Sequence, residues 1–588
     1  MIGFLLWKIK MGFAGIVVRL KHEYKYIYPI IFLIMLIPSL AYSADVCVGP
    51  SATGNGSGAD WDNQIAYSSI DGAGATRGNT YYLADGSYGS ATFNTAESST
   101  TYIYIKKATV ASHGPAGGWL DSMGDGQAVF TDWTFSRSYY DIDGQVGSVS
   151  DIFTGYIAHG IVVGREQTGD NQHVVSIGSS GNPKNYILIK HTEIKNTNTP
   201  FTGTWYKSGM GIRGYGDYWT IQNSWVHDIG SVCLLSIGGD YGTIDNSVFA
   251  RNGQAQVAMG WSDPTDHSET IMLQPGASYW TIKHSYFYDW CSTGMLILYD
   301  GNIDTIFTGN IVFQTGYYGS SCGNADGIIG GLSGTNTNTK IINNTFANIV
   351  YGGHIDSLGA SYTGFQLQNN LFYNVKMLTT VNIGLPTANT YRDYNWYYDV
   401  GTFTAETNQQ VGAGDPFVDN TNYDFRLSSG TNAGAEWASP YDTDLLGVAR
   451  GSDSVWDRGA YEFDSGAADT TPAAFSFTDN TGVALGSTGN SDNVTLTGFD
   501  NTTTLVLTGD ASCKYSINGA AWATADDNVT VGDNVALQNV ASSSYSTAVS
   551  CTLNLGGVTD TWSRTTLAAV SDPMAPRFKG ASMSGGWR

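Results

Sequence analysis

The sequence is poor in positive charge, with 28 Lys and Arg against 51 Asp and Glu and a formal net charge of −23. So negative a field disfavours contact with the phosphates of nucleic acids and with anionic lipid surfaces. Both are therefore excluded as expected partners. A polyanionic sugar would need a local basic patch or bound calcium, whereas acidity by itself serves to keep an exported protein soluble.

Charged residues of both signs make up only 13% of the 588 residues, and proline is rare at 14. Glycine, by contrast, is abundant at 73. This balance is typical of a turn-rich all-β protein, and the length predicts more than one domain.

Residues 1–43 have the features of an export signal. Five basic residues precede an apolar run over residues 27–40, and residues 41–43 offer the small side chains that a signal peptidase reads. The run is short for a membrane span and contains Pro29 and Pro38, which favours cleavage over a membrane anchor. Cleavage removes five basic residues and one acidic residue, so the mature chain carries −27. We expect a secreted or cell-surface protein without stable membrane insertion.

One six-residue pattern recurs between residues 186 and 376. It consists of an apolar residue, any residue, Asn, His or Gly, a small or amide residue, any residue, and Val, Ile or Phe. The pattern occupies residues 189–194, 221–226, 244–249, 282–287, 307–312, 341–346 and 367–372. A short period with variable additions is typical of a solenoid with loops inserted into some coils.

The repeat favours strands over helices, because β-branched and aromatic residues alternate in short runs cut by Gly, Asn and Asp. A second row of strands that end at glycine is predicted at residues 211–214, 234–238, 271–276, 296–301 and 355–359. Stacked strands lie about 4.8 Å apart, so equivalent positions in neighbouring coils touch. An amide ladder is therefore predicted at Asn223, Asn246, Asn343 and Asn369, with His191 and His284 at equivalent positions. The sequence predicts a parallel β-helix, with irregular, loop-rich coils over residues 108–185 in which residues 140–144 form one recognisable strand and turn.

Two parts of the sequence look like parts of a known group of proteins. The opening strand of that group resembles residues 78–88, and its closing segment resembles residues 415–419, 424–427 and 458–462. Residues 45–464 resemble the secreted bacterial right-handed parallel β-helix proteins, which include pectate-lyase-like and polygalacturonase-like folds. The resemblance implies a right-handed solenoid over residues 44–464 with a groove for polysaccharide. It transfers no catalytic residue, because the Asn-Thr-Asp, Asp-Asp, Gly-His-Gly and Arg-x-Lys motifs of polygalacturonase-like proteins are absent from this range.

A second domain is predicted after a linker at residues 465–474. Short strands recur over residues 475–568, and Asn518 with Gly519 forms a hairpin turn signal. The spacing predicts an Ig-like β-sandwich. It resembles modules appended to bacterial surface and carbohydrate-active proteins, with an expected role in spacing, attachment or glycan binding. Residues 569–588 are predicted to form a disordered tail.

Cysteine is scarce, and no C-x-x-C spacing supports a structural zinc site. In an exported chain cysteines can pair. Two pairs are predicted: Cys513 with Cys551 in the second domain, and Cys291 with Cys322 before equivalent strands of adjacent coils. The two remaining cysteines have no assigned partner.

Functional residues are expected in the longest coils, because insertions in a solenoid fall on one face that is often the binding face. The two longest regular coils carry residues 254–274 and 317–334. The predicted catalytic residues are His267, Glu269, Asp326, Asp300 and Arg213. The predicted substrate-binding residues are Trp261, Gln274, His354 and Asp356. Asp263 and Asp266 are predicted to hold calcium, if the protein uses it.

Three uses of such a groove stay open. Hydrolysis needs an acid and a carboxylate about 5 to 10 Å apart, and the candidates are Glu269, Asp300, Asp326 and Asp356. Elimination from a uronate polymer needs a base and a cation, and the candidate bases are His267, Lys283 and Arg213. Sugar binding without chemistry needs aromatic side chains, and the candidates are Trp261, Trp219, Trp280 and Trp290.

Several of these signals have a structural alternative. The pair His227 and Asp228 fits a turn as well as a functional role, and Asp before Gly is a common turn former. Lys283 fits a solvated strand face, and the Tyr-Trp pair at residues 279–280 fits packing between coils. The leading prediction is an exported polysaccharide lyase or glycoside hydrolase. The alternative is a non-catalytic surface solenoid that binds glycan.

Overall fold

The chain divides into two compact units, residues 1–451 with 455–462 and residues 452–454 with 463–588. The computed structural model describes residues 43–147, 159–167, 172–198, 209–253, 268–291, 294–299, 301–318, 328–331, 333–350, 355–356, 361–376, 390–401, 405–463, 470–499 and 502–569. Residues 1–42 of the predicted export signal lie outside these ranges. No helix within them is long and apolar enough to cross a membrane. Short 3-10 turns are present at Trp61–Asn63, Tyr67–Ser69, Asp121–Met123 and Asn420–Asn422.

The first unit is a right-handed parallel β-helix built from three rows of strands. Row 1 is a parallel sheet in which each strand pairs with its equivalent in the next coil. Its strands, in spatial order, are Ile65–Ala66, Asp45–Gly49, Thr80–Leu83, Ile103–Lys107, Tyr140–Asp143, Ile187–Lys190, Thr220–Gln222, Thr243–Asp245, Thr281–Lys283, Ile306–Thr308, Lys340–Ile342, Phe365–Gln368 and Thr390–Asp393. Right-handed crossovers are the rule for parallel strands.

Row 2 follows row 1 in every coil. Its strands are Gly86–Phe93, Ala128–Phe135, Ile161–Arg165, Thr192–Asn196, Trp225–His227, Val248–Asn252, Tyr286–Trp290, Ile311–Phe313, Thr345–Ile349, Leu371–Val375, Trp396–Tyr398 and Gln410–Val411. Row 3 consists of Val175–Ile177, Ile212–Gly214, Leu234–Ile237, Ile271–Gln274, Leu296–Leu298, Ile329–Gly331 and Ile355–Asp356. The predicted second strand row is therefore confirmed.

The regular coils begin earlier than the sequence pattern indicated. Residues 108–185 were expected to form irregular coils with one strand and turn at residues 140–144. That strand is confirmed as Tyr140–Asp143, and the range also contains the strands Ala128–Phe135, Ile161–Arg165 and Val175–Ile177. The first part of Ala128–Phe135 pairs with row 2 and its last part with row 3, so the two rows separate from one long strand. The six-residue pattern does not match at residues 142–147, because Gly147 stands where the pattern requires Val, Ile or Phe.

The recurring pattern marks the corner between rows 1 and 2. Its third residue always has positive φ: His191, Asn223, Asn246, His284, Gly309, Asn343 and Asn369, with φ between 45° and 62°. Asn and Gly tolerate this left-handed conformation better than other residues. The amide of Asn246 donates to Asn223 at 2.5 Å and that of Asn369 to Asn343 at 3.0 Å, so the predicted ladder is confirmed.

A second, buried ladder lies one residue further along. Thr192 begins the series by donating its backbone N–H to Ser224, and each later member accepts the backbone N–H of its equivalent in the preceding coil. Its members are Thr192, Ser224, Ser247, Ser285, Asn310, Asn344, Asn370 and Asn395. Glu406 ends the series, because it accepts both the backbone N–H and the side-chain amide of Asn395. The ladder satisfies polar groups that would otherwise be costly inside the solenoid.

The core consists of apolar columns, one of which comprises Ile189, Ile221, Ile244, Ile282, Phe307, Ile341 and Leu367, all at most 1% exposed. Full burial of such a side chain contributes about 1.5–3 kcal/mol. Trp219, Trp280 and Trp290 are each 1% exposed as well. Their expected role in sugar stacking is therefore wrong, because tryptophans at these positions point into the core.

Residues 415–451 with 455–462, here called the closing segment, cover the later coils as predicted. Phe417–Asp419 and Asp424–Leu427 form an antiparallel pair. The ring of Phe425 lies 5.0 Å from that of Phe313 on row 2, and Tyr461 hydrogen-bonds Tyr286 at 2.6 Å. The short pair Thr335–Thr337 and Ser361–Thr363 lies outside the three rows.

The second unit contains a five-stranded and a four-stranded sheet. The first consists of Asn480–Val483, Val558–Thr566, Ala548–Leu555, Thr503–Gly509 and Asp527–Val529. The second consists of Thr488–Asn490, Asn534–Val540, Val494–Thr495 and Lys514–Ile517. Both sheets contribute to one core around Trp562. The predicted Cys513–Cys551 disulfide is confirmed.

Candidate functional site

Four of the eleven predicted site residues lie on or beside row 3 within the described ranges: Arg213, Glu269, Gln274 and Asp356. Seven of the predicted residues lie outside the described ranges and stay predictions: His267, Asp326, Asp300, Trp261, His354, Asp263 and Asp266. Asp356 lies in the row 3 strand Ile355–Asp356, as expected. Cys291 is disulfide-bonded, and its predicted partner Cys322 lies outside the described ranges as well.

Three predicted residues are described with their side chains. Arg213 lies mid-strand on row 3, its guanidinium 5.7 Å from the centre of the Tyr215 ring. Gln274 ends its strand, with its amide 3.5 Å from the sulfur of Met272. Glu269 is fully buried before Ile271–Gln274. The structure does not bring these three together around one described group, and their roles stay predictions.

The outer side of row 3 is apolar between these residues. Leu235 pairs with Arg213 in register, Met272 with Leu235, and Ile297 with Met272. Leu235, Met272 and Ile297 are at most 4% exposed although they alternate with the core-facing residues. The polar candidates of row 3 therefore flank a covered apolar strip.

A charged cluster occupies the adjoining outer side of row 2 and was not among the predicted site residues. It comprises Glu193, Lys195, Trp225, His227, Asp228 and Arg251, here called the row-2 cluster. Strand register places Glu193 beside Trp225 and Lys195 beside His227. Ile194 and Val226, the residues between them, face the core.

His227 lies between two carboxylates. Its Nε2 is 3.0 Å from Oε1 of Glu193, and its Nδ1 is 2.6 Å from Oδ2 of Asp228. The Trp225 ring stacks on the imidazole with centroids 3.7 Å apart. Arg251 also approaches the ring from the next coil, with its Nη2 3.2 Å from Nδ1 of His227. His227 therefore bridges Glu193 and Asp228, the two acids of the cluster.

Arg251 holds Asp228 from the next coil. Its Nε donates to Oδ1 at 2.6 Å and its Nη2 donates to Oδ2 at 2.7 Å, a two-point contact. Its guanidinium also lies 5.6 to 6.0 Å from the ring centres of Trp225, Tyr288 and Tyr317. Arg251 has φ of 52°, a conformation that is uncommon for arginine.

The acids of the cluster are held ionised. Burial alone would raise the pKa of Glu193, but hydrogen bonds from His227 and Lys195 lower it to about 2. Burial likewise opposes ionisation of Asp228, and Arg251 with His227 overcomes it and holds this pKa well below its usual range. Both carboxylates therefore stay negative at any ordinary pH, and neither is set up as a general acid.

A buried histidine adjoins the cluster. His159 is 1% exposed, and burial lowers its pKa to about 4, with Glu193 opposing the shift and His191 and His227 adding to it. The imidazole is therefore neutral at neutral pH. It separates the charged row-2 cluster from the ladder corner, where Nδ1 of His191 is 2.7 Å from Oδ1 of Asp143.

The sequence contains a signal for this cluster. Asp228, Arg251 and Asp289 each follow the core residue of their repeat by two positions, so opposite charges occupy equivalent places in successive coils. Aligning the repeats two positions beyond the six-residue pattern would have found it. Asp228 has φ of 56°, which fits the turn interpretation of the His227–Asp228 pair, and its ion pair with Arg251 adds a contact that neither interpretation included.

No group of three or more His, Cys, Asp or Glu side chains in the described part of the chain could hold a metal ion. The predicted calcium ligands Asp263 and Asp266 lie in another part. The calcium site therefore stays a prediction.

Comparisons with known proteins support no reaction. No protein-family model matches the chain, and no curated protein matches it. The crystal structure of pectate lyase Pel9A aligns with a TM-score of 0.39 and 16% identity, covering 72% of this chain and 97% of the lyase. The GH136 lacto-N-biosidase from Eubacterium ramulus aligns with a TM-score of 0.26 and 11% identity, covering 63% of this chain and 68% of that enzyme. At these values the likeness does not extend to chemistry.

Proposed function

We propose that this is an exported carbohydrate-active protein whose β-helix binds an extracellular polysaccharide along the outer sides of rows 2 and 3. The row-2 cluster is the observation that supports this most. It places a fixed guanidinium among three aromatic rings, beside a lysine that is 33% exposed. Aromatic rings with a few fixed polar groups are the usual lining of a site for a polyhydroxylated ligand.

The proposed reaction is cleavage of the polymer by a lyase or a hydrolase. A lyase would use His267 or Arg213 as base and calcium at Asp263 and Asp266. A hydrolase would use two carboxylates from Glu269, Asp300, Asp326 and Asp356. Trp261, Gln274 and His354 would contact the substrate. The row-2 cluster would then hold the chain next to these residues without itself transferring protons.

A non-catalytic glycan-binding protein is the second candidate. The observation in its favour is that Glu193 is paired with Lys195 and Asp228 with Arg251. A carboxylate tied in this way is a fixed hydrogen-bond acceptor and not a reactive group.

A polysaccharide screen of the mature protein distinguishes these functions. We would read reducing ends and the absorbance of unsaturated uronate, with calcium and with a chelator. New absorbance that the chelator abolishes would identify a calcium-dependent lyase, and reducing ends without absorbance would identify a hydrolase. Binding without product would support the second candidate. Neither binding nor cleavage across neutral and acidic polymers would overturn the proposal.

Two variants test the role of the row-2 cluster. Lys195→Ala and Trp225→Ala should each weaken binding about tenfold, equivalent to ~1.4 kcal/mol. Lys376→Ala is the matched control, because Lys376 is also a partly exposed lysine paired to a carboxylate, Asp399, at 2.7 Å. Equal affinity for all three variants would exclude the row-2 cluster from the binding site.

A further inference from the structure

Five tyrosines stack in a column at the corner between rows 3 and 1. The members of this tyrosine column are Tyr139, Tyr186, Tyr218, Tyr241 and Tyr279. Successive ring centroids lie 4.6 to 4.9 Å apart, and the planes differ by 2° to 11°. All five have φ between 58° and 63°. A bulky residue in this conformation is an outlier that the surrounding structure must hold in place.

A hydrogen-bond ladder at the preceding position holds the column. Asn185 donates its backbone N–H to Ser138, Asp217 to Asn185, Asp240 to Asp217 and Ser278 to Asp240. The distances are 2.7 to 3.1 Å. The backbone of each coil is therefore fixed at the residue before the tyrosine, and the spacing between the rings follows from the spacing between the strands.

The two ends of the tyrosine column differ. At the first end the edge of the Tyr102 ring closes against Tyr139, at 5.4 Å and 89°. At the other end, the equivalent positions of the next coils carry Asp304 and Asn338, with φ of 52° and 56°. Tyr279 is 38% exposed, and its described ring contact is with Tyr241. One face of Tyr279 therefore has no ring stacked on it within the described residues.

The place of the next ring is the natural position for a ligand. An aspartate side chain is much shorter than a phenol, so Asp304 places no ring over the open face of Tyr279. A flat ring stacked on that face would continue the column at its own spacing, and the apolar face of a pyranose fits against an aromatic face. Asp304, at the equivalent position of the next coil, carries a hydrogen-bond acceptor, which is the partner that a sugar hydroxyl requires.

We propose that the open face of Tyr279 binds one sugar ring of a neutral polysaccharide, with Asp304 and Asn338 as hydrogen-bond partners of its hydroxyl groups. The site is separate from the row-2 cluster and lies at another corner of the coil. A uronate is disfavoured there, because its carboxylate would meet Asp304 and the negative field of the protein. The four other tyrosines bind no sugar on their faces, since each face is covered by a neighbouring ring.

Tyr441 of the closing segment is close enough to Asp304 for the charge of that carboxylate to influence its hydroxyl. It is 5% exposed, and its hydroxyl has no hydrogen-bond partner among the described residues. Burial, with the charge of Asp304 as second cause, raises its pKa to about 12. The phenol therefore stays protonated and can donate a hydrogen bond.

Affinity electrophoresis of the mature protein in gels with neutral polymers tests the proposal. The probes are xyloglucan, galactomannan and hydroxyethyl cellulose, with polygalacturonate and alginate as acidic probes. Tyr279→Ala removes the platform, and Asp304→Tyr adds a sixth ring that fills the site. Both should raise the Kd for a neutral polymer about tenfold. Tyr186→Ala, three rings away from the open face, is the matched control and should bind as the wild type does.

The outcomes separate this site from the proposed function. Wild-type affinity of both Tyr279→Ala and Asp304→Tyr for neutral polymers would overturn the proposal, as would failure of the wild type to bind any of them. If those variants still bind or cleave an acidic polymer in a way that Lys195→Ala impairs, the row-2 site stands while this one fails. Asp304→Tyr guards against a folding artefact, because it enlarges the tyrosine column and its unfolding midpoint can be compared directly.

Discussion

The two halves of the β-helix use different side chains to hydrogen-bond the same backbone groups. In the earlier coils the buried ladder uses hydroxyls, as at Ser224 and Ser247, each accepting one N–H and donating to one carbonyl of its own coil. In the later coils it uses amides. The Asn370 side chain accepts from Asn344 and donates to Ile341, Gln368 and Asn395. The amide half therefore holds more bonds in each rung.

The ladder at the corner between rows 1 and 2 shows the same division between the two halves. In the earlier half the corner histidines meet carboxylates, as His191 meets Asp143, and this side carries charge. In the later half Asn343 and Asn369 donate to Tyr441 and Ala435 of the closing segment. A charge buried under that segment would be costly, whereas a neutral amide with all its partners is not. The lesson is that the repeat specifies a backbone conformation, and the cover over each coil decides which side chain supplies it.

The largest expected loss of stability comes from removing an amide of the buried ladder in the later coils. Asn370→Ala should destabilise the protein by about 4 kcal/mol, because it leaves several buried donors and acceptors without partners. Ser247→Ala, at the equivalent rung of the hydroxyl half, should cost only about 1 kcal/mol. Urea unfolding of the two variants, followed by circular dichroism, checks both values. Equal losses would show that the two ladders are equivalent and would remove the basis of the comparison.

The sequence predicts most of this architecture but little of the candidate functional site. The corner residues were readable because a left-handed position accepts few residue types, so Asn223 and Asn343 recur in register. The row-2 cluster was not recognised, because Asp228 and Arg251 stand two positions beyond the six-residue pattern and become partners only through the register between coils. The residues expected in the longest insertions, such as His267, lie where no repeat fixes the backbone. For Trp219 and Trp280 both packing and sugar stacking stayed open, because a strand pattern does not reveal which way an aromatic residue next to a corner points, and their burial favours packing.

Lowering the pH should destabilise the protein through the charged row-2 cluster of the earlier coils. The folded-state pKa of Glu193 is about 2, below its ordinary 4.5, because the cations of the cluster outweigh its burial. Its contribution is therefore complete above pH 4.5 and is lost as the pH falls through 2, a change of about 3 kcal/mol. Unfolding free energy measured from pH 6 to pH 2 should fall steeply in the wild type. Glu193→Gln should start lower and fall less, and parallel curves would contradict the assignment.

The covered half should respond to pH in the opposite direction. Burial raises the pKa of Glu462 in the closing segment from 4.5 to about 7, although Arg450 opposes the shift. Its contribution is complete below pH 4.5 and is lost as the pH rises through 7, again by up to about 3 kcal/mol. Unfolding midpoints from pH 4.5 to pH 8 should decline in the wild type and stay flatter in Glu462→Gln. An identical decline in both would mean that another group titrates in this range.

The smallest effect is expected at the third corner, where tyrosines give way to Asp304 and Asn338. Tyr241→Asn relieves an unfavourable φ but removes two ring contacts, each worth about 0.5–1.5 kcal/mol, so the net loss should be near 1 kcal/mol. Asn338→Tyr introduces the strained conformation without an adjacent ring and should cost a similar amount. Thermal and urea unfolding of both variants compare these effects. If Tyr241→Asn proves more stable than the wild type, the tyrosine column is maintained against stability, and its role at the open face of Tyr279 becomes the reason for its presence.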